Sequence, residues 1–114
     1  MMHHVSDFAR QQHSYSWIEV NGTKYHPQTF FVESIVNGSL SFGKIEAIYA
    51  IQNHIVFHAH VHHTVAIDET LNAYVIHPSD SVVFVNHDSV KYFEPLDSYM
   101  HRNAIIIPRK YNYV

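Results

Sequence analysis

The amino-acid sequence predicts an all-β fold, namely a small single-domain barrel or sandwich of about six to eight short antiparallel strands with little helix. Short runs rich in β-branched and aromatic residues follow one another along the chain. Turn-forming Asn-Gly pairs separate some of these runs. The best helical candidate, residues 95–102, is too short for more than about two turns. Because one twisted sheet must cover its apolar face, we favour a closed or semi-closed barrel.

The size and composition of the chain predict one domain that folds on its own. It has 114 residues, of which 46% are hydrophobic and 14% aromatic. That length suits one hydrophobic core, and the composition is far from that of a disordered chain. We assign residues 1–15 to a flexible N-terminal arm, because most of that segment is polar and unpatterned, and residues 16–114 to a single β domain.

The first strands are predicted from their turns. Residues 17–25 form a tight hairpin around Asn21-Gly22, since this pair adopts the positive φ angles of a type I′ turn. A β-branched and aromatic strand follows at residues 29–36 and ends at Asn37-Gly38. We interpret Gly22, Gly38 and Gly43 as turn or bulge residues.

The clearest alternation lies in residues 42–65, which predict a long hairpin. Residues 42–51 alternate except at Ile48 and Ala50, and residues 52–54 form the connection. The second strand presents two different faces. One face is apolar (Ile55, Phe57, Ala59, Val61) and the other is rich in histidine (His54, Val56, His58, His60, His62).

The rest of the chain predicts shorter strands separated by prolines. They cover residues 71–76, 81–85, 90–93 and 104–107, with prolines at 78, 95 and 108 between or after them.

Four blocks resemble a known type of module: residues 41–45 (Ser-Phe-Gly-Lys-Ile), 71–75 (Leu-Asn-Ala-Tyr-Val), 92–99 (Tyr-Phe-Glu-Pro-Leu-Asp-Ser-Tyr) and 105–114, which ends Lys-Tyr-Asn-Tyr-Val. Their order and spacing are similar to the C-terminal β-rich module of uncharacterised animal proteins associated with transposable elements. The resemblance implies an accessory module that works beside nucleic-acid-binding segments and has no catalytic residues. The histidine cluster of residues 54–63 and the proline at 108 depart from that pattern.

The histidines allow a metal hypothesis. His58, His60 and His62 are two apart on one strand, so their side chains project from the same face and could share zinc or another divalent ion, as in a cupin-like protein or enzyme. The alternatives are a merely solvated strand face, or a face that contacts a partner or responds to pH. A further ligand would come from one of these side chains: Asp68, Glu69, His77 or His87.

Other residues suggest partner binding. The net charge of −3, with 7 Lys and Arg against 10 Asp and Glu, excludes an overall basic field for nucleic acid. Locally, Arg102, Arg109 and Lys110 lie beside C-terminal tyrosines and could contact phosphates and stack on bases. Tyr74 and Tyr92 are candidates for an aromatic site that holds methyl-lysine.

Catalytic and membrane classes are not favoured. There is no cysteine, no nucleophile elbow around a serine and no Gly-rich phosphate loop. No run approaches the roughly 20 apolar residues that span a bilayer. We therefore predict a non-catalytic interaction module without a cofactor, binding a protein partner, nucleic acid or a second copy of itself. Its expected location is intracellular and, for a chromatin-associated module, nuclear.

Overall fold

The computed structural model describes residues 14–92 and 94–109. Most of the predicted arm (residues 1–13), Phe93 in the predicted strand 90–93, and Lys110 in the predicted basic cluster lie outside the described residues. The described part is almost entirely strand, which confirms the all-β prediction. Its strands are β1 (Ile18–Val20), β2 (Thr23–Tyr25), β3 (Phe30–Val36), β4 (Ser39–Ile51), β5 (His54–Asp68), β6 (Ala73–Asn86), β7 (Tyr99–His101) and β8 (Ala104–Pro108), and a 3₁₀ turn covers His87–Ser89.

The strands form two antiparallel sheets. One is the hairpin β1-β2, and the other has six strands in the order β3-β4-β5-β6-β8-β7. Phe30 of the edge strand β3 forms an antiparallel bridge with Leu96. The backbone N–H of each residue donates to the carbonyl oxygen of the other, at 2.8 Å from Phe30 and 2.7 Å from Leu96. No continuous ladder closes the sheet in the described part of the chain, so the sheet is not a closed barrel. This bridge, together with packing in the first core described below, links β3 to the segment leading into β7.

The predicted tight turns are present. Asn21-Gly22 and Asn37-Gly38 have positive φ at both positions, as a type I′ turn requires. Two further hairpin turns have the same backbone without glycine. They are Gln52-Asn53, between β4 and β5, and Arg102-Asn103, between β7 and β8. The latter ends the segment that was the best helical candidate, which instead contains β7.

A bulge in β4 explains why the alternation failed at Ile48 and Ala50. Ile45 is paired with Ala59 and Ala47 with His58, so Glu46 is an extra residue in β4. The extra residue reverses the alternation, and Ile45 and Ile48 consequently lie on the same side and are both fully buried.

β4, β5 and β6 contain 13, 15 and 14 residues and are the longest strands of the described part of the chain. β6 joins the two predicted strands 71–76 and 81–85 across Pro78. His60 is paired with Val82 and His62 with Pro78, so residues 79–81 form an irregularity there. Proline lacks a backbone N–H and is tolerated at such a break in the ladder.

The domain has two hydrophobic cores. The first core contains Phe30, Val32, Leu40, Phe42, Tyr74, Ile76, Leu96 and Ile107. The second core contains Tyr25, Phe31, Ile45, Ile48, Phe57, Ala59 and Val90, and the hairpin β1-β2 packs on it through Ile18 and Val20. Because Phe30 and Phe31 are consecutive in a strand, the two cores lie on opposite faces of the large sheet. Among the described residues, no helix is long and apolar enough to cross a membrane.

Candidate functional site

The predicted histidine face is only partly open to solvent. The His58 ring stacks on Phe84 with centroids 4.7 Å apart and planes 8° apart. The Nε2–H of His60 donates to the carbonyl oxygen of Ser79 at 2.5 Å. Both side chains are half-buried on the face opposite the second core.

His62 is buried, with only 3% of its surface exposed. Its ring meets Phe30 of the first core edge to face at 5.1 Å, and its Nδ1–H donates to the His60 carbonyl oxygen at 3.1 Å. Burial lowers the pKa of His62 from its ordinary value and keeps the ring neutral. The alternation correctly predicted that His60 and His62 share one face, since their ring centroids lie 4.7 Å apart. At His62, however, the first core covers that face.

Nothing in this arrangement favours a metal ion. Within the described residues, no three His, Cys, Asp or Glu side chains are grouped so that they could hold one. His60 and His62 each direct one ring nitrogen at a backbone carbonyl group. The metal site of His58, His60 and His62 stays a prediction.

The residues predicted to bind partners are dispersed. Tyr74 is buried in the first core, and the guanidinium group of Arg109 lies 5.6 Å from its ring centre. Tyr92 packs against the same core and lines a different cavity, with Lys91 Nζ 5.6 Å from its ring centre. Arg102 lies in the β7–β8 turn, at the opposite end of β8 from Arg109. Of these residues, the described part of the chain places Arg109 beside Tyr74.

An opening between β4 and β5 is a feature that the sequence did not predict. The ladder between these strands ends at the pair Ser41 and His63, whose side chains are joined by a hydrogen bond of 2.9 Å. Beyond this point, the start of β4 stays paired with β3, while the end of β5 stays paired with β6. The two strands therefore diverge and leave a cavity of about 270 Å³, here called the wedge. It is lined by Asn37, Gly38, Ser39, Leu40, Thr64, Val65, Ala66, Ile67 and Tyr74.

The wedge combines an apolar floor with open strand edges. Leu40 and Tyr74 of the first core form part of its wall. Val65 and Ile67 are large apolar side chains with 62% and 44% of their surface exposed. In the described part of the chain, residues 64–68 of β5 have no strand partner on the side that faces β4. The lining residues include no charged side chain.

Thr64 adds an unusual polar group to the wedge. Its hydroxyl oxygen is buried and has no hydrogen-bond partner among the described residues. A buried hydroxyl group without a partner costs about 1–3 kcal/mol, so it is uncommon in a folded domain.

A second cavity, of about 230 Å³, lies between the β1–β2 hairpin and the 3₁₀ turn. Its wall includes Tyr25 and His87, whose hydroxyl oxygen and Nε2 are 3.3 Å apart. Burial raises the pKa of Tyr25 above its ordinary value. The sequence suggested His87 as a possible metal ligand, and nothing local to either segment indicates that His87 meets Tyr25.

These features define an antiparallel β domain with an open sheet edge. Comparison with protein-family models, with curated protein sequences and with solved structures finds no match. The resemblance to transposable-element-associated modules stays a prediction. The functional argument consequently depends on the geometry of this domain.

Proposed function

We propose that this domain is a non-catalytic protein-interaction module that adds an extended segment of a partner protein to its sheet at the wedge. The observation that carries the proposal is the divergence of β4 and β5 beyond Ser41 and His63. Among residues 14–92 and 94–109, this divergence leaves strand backbone without a ladder partner on the side of β5 that faces the wedge.

Unpaired strand edges recruit other strands, because every backbone N–H and C=O group needs a hydrogen-bond partner. Proteins usually protect such edges with charged side chains, with proline or with a covering segment. The wedge lining contains neither proline nor a charged residue, and within the open stretch 64–68 the one charged residue is Asp68, at its end. The exposed apolar side chains of Val65 and Ile67 favour contact with a partner over contact with water.

The dimensions suit a short extended segment. A strand rises about 3.3 Å per residue, so the open stretch of β5 at residues 64–68 is long enough to pair with roughly three to five partner residues. In such complexes, main-chain hydrogen bonds supply affinity and side-chain pockets supply specificity.

Several sequence-based predictions remain beside this proposal. They are the role in a transposon-derived or chromatin-associated protein, the nuclear location, the homodimer, and the contact of nucleic acid with Arg102, Arg109 and Lys110. No observation in the fold favours one of them over peptide binding. The metal-binding alternative at His58, His60 and His62 is likewise a prediction from the sequence.

The proposal can be tested with a displayed library of random ten-residue peptides selected on the folded domain. Each binder is then measured by fluorescence anisotropy on two variants, Val65→Lys and Val82→Lys. Val82 lies on β6 outside the wedge and is 57% exposed, so it is a matched control for Val65. We expect Val65→Lys to weaken binding at least about tenfold, since lysine blocks strand addition at an edge, and Val82→Lys to leave it within about twofold.

Thermal unfolding of both variants checks that they remain folded. Peptide N-methylation provides an independent test of the binding mode. In an added strand, alternate N–H groups face the domain, so methylation of one alternating set should abolish binding and methylation of the other set should not. The proposal fails if no peptide binds, or if binding tolerates Val65→Lys as well as it tolerates Val82→Lys.

A further inference from the structure

We infer that the partner segment is uncharged at its centre and carries one large apolar anchor side chain that lies in the wedge against Leu40 and Tyr74. This inference rests on the proposed function and names the chemistry of the segment that the wedge accepts.

The floor of the wedge selects the anchor. Leu40 and Tyr74 belong to the first core and are almost completely buried, yet both line the cavity. A side chain that enters from the open edge therefore extends the first core and removes its own apolar surface from water. The wedge measures about 270 Å³ and is open to solvent on one side. It has room for one aromatic or branched aliphatic side chain beside the backbone that carries it.

The absence of charge in the lining selects against a charged centre. All nine lining residues are uncharged, so a lysine or glutamate side chain inserted there would lose its hydration without gaining an ion pair from the lining. The guanidinium group of Arg109, which lies 5.6 Å from the ring centre of Tyr74, would in addition repel a lysine. Extended backbone alternates its side chains, so the residues next to the anchor point away from the floor. The anchor position should therefore be far more selective than its two neighbours.

Ser39 provides a direct way to occupy the anchor site from within the domain. It is an exposed residue at the start of β4 and lines the wedge. A phenylalanine at this position would compete with the anchor. Ser81 is also exposed and lies in β6 outside the wedge, so Ser81→Phe is the matched control.

The experiment uses a peptide selected on the wild-type domain, with its anchor replaced by alanine or by lysine. We expect either replacement to weaken binding by about tenfold or more, and alanine at the neighbouring positions to change it less than about threefold. Ser39→Phe should weaken the parent peptide by about tenfold but leave the alanine-anchor peptide within about twofold, because that peptide has no side chain to displace. Ser81→Phe should change neither.

The outcomes separate the inference from the proposed function. If the anchor position tolerates alanine and lysine while binding still depends on Val65, the inference is wrong and strand addition stands. If binding does not depend on Val65, both are wrong. If Ser39→Phe weakens the parent and alanine-anchor peptides equally, the substitution acts on the backbone of the wedge and the anchor site is refuted.

Discussion

Replacement of Gly43 by alanine tests how tightly the second core is built. Gly43 lies inside β4, directly opposite Phe31 of β3, and its φ angle is not in the left-handed region. A Cβ atom at this position would lie 2.6 Å from Cζ of Phe31 and 3.2 Å from the Cβ atom of Ala59. The Phe31 ring is 1% exposed, so it cannot move aside without disturbing its neighbours.

The expected magnitude follows from two opposing effects. Overpacking of a dense core costs about 1–3 kcal/mol. Alanine in a strand recovers about 0.5–1 kcal/mol relative to glycine, because the unfolded chain is less flexible. We therefore expect Gly43→Ala to lower the free energy of unfolding by about 1–2 kcal/mol and the Tm by about 4–8 °C.

The assay is guanidinium unfolding followed by far-ultraviolet circular dichroism, applied to a double-mutant cycle with Phe31→Leu. The smaller leucine side chain relieves the clash, so Gly43→Ala should cost at least about 1 kcal/mol less in the Phe31→Leu background. Gly38→Ala is the control: φ is +79° there and no atom lies within 4 Å of the added Cβ, so its cost should be the same in both backgrounds. A Gly43→Ala protein as stable as the wild type would refute a rigid contact between the ring and the β4 backbone.

Four further changes test other parts of the domain. Because the pKa of His62 is lowered in the folded domain, the unfolded chain binds a proton more readily near pH 6.5. The wild type should therefore lose stability as the pH falls through that value, and it should lose more than His62→Gln does in chemical unfolding measured from pH 8 to pH 5. The raised pKa of Tyr25 has the opposite consequence, because the tyrosine of the unfolded chain loses its proton at a lower pH than that of the folded domain. The stability of the wild type should therefore fall above about pH 10. In thermal unfolding at pH 8–11, the Tm of Tyr25→Phe should fall less over this range than that of the wild type. Thr64→Val removes the hydroxyl group that has no hydrogen-bond partner among the described residues, so it should raise the free energy of unfolding by about 1 kcal/mol. A variant less stable than the wild type would mean that the hydroxyl group is hydrogen-bonded. Asn53→Gly should raise the Tm by a few degrees, because glycine adopts the φ of +67° without strain, whereas no change would show that Asn53 is already unstrained.

The residues of the partner predictions lie in different parts of the fold. Tyr74, a candidate for the methyl-lysine site, is a core residue that also lines the wedge. Arg109 is beside it because β6 and β8 pair at that end, which no local pattern indicates. The wedge could have been suspected from one signal, namely that β5 continues through β-branched residues beyond the length that β4 can match.

The sequence by itself predicted most of the strands of this protein and its two Asn-Gly turns, but it predicted neither β7 nor the continuity of β6, and residues 90–92, predicted as part of a strand, are not in one. Alternation and Asn-Gly pairs are local signals, because side-chain direction and positive φ depend on a residue and its immediate neighbours. These signals correctly predicted the β1-β2 hairpin, β3 with its turn, most of the long β4-β5 hairpin, and β8.

Only the tertiary structure decided which faces are buried and where pairing stops. The bulge at Glu46 reverses the buried side of β4, and the first core covers the histidine face at His62. Gly43 was interpreted as a turn or bulge residue, but it lies within β4. A side chain does not fit there, because the Phe31 ring occupies the space that it would need. Each outcome depends on contacts between segments far apart in the chain, and so does the wedge, which exists because β4 and β5 pair with different neighbours at their ends.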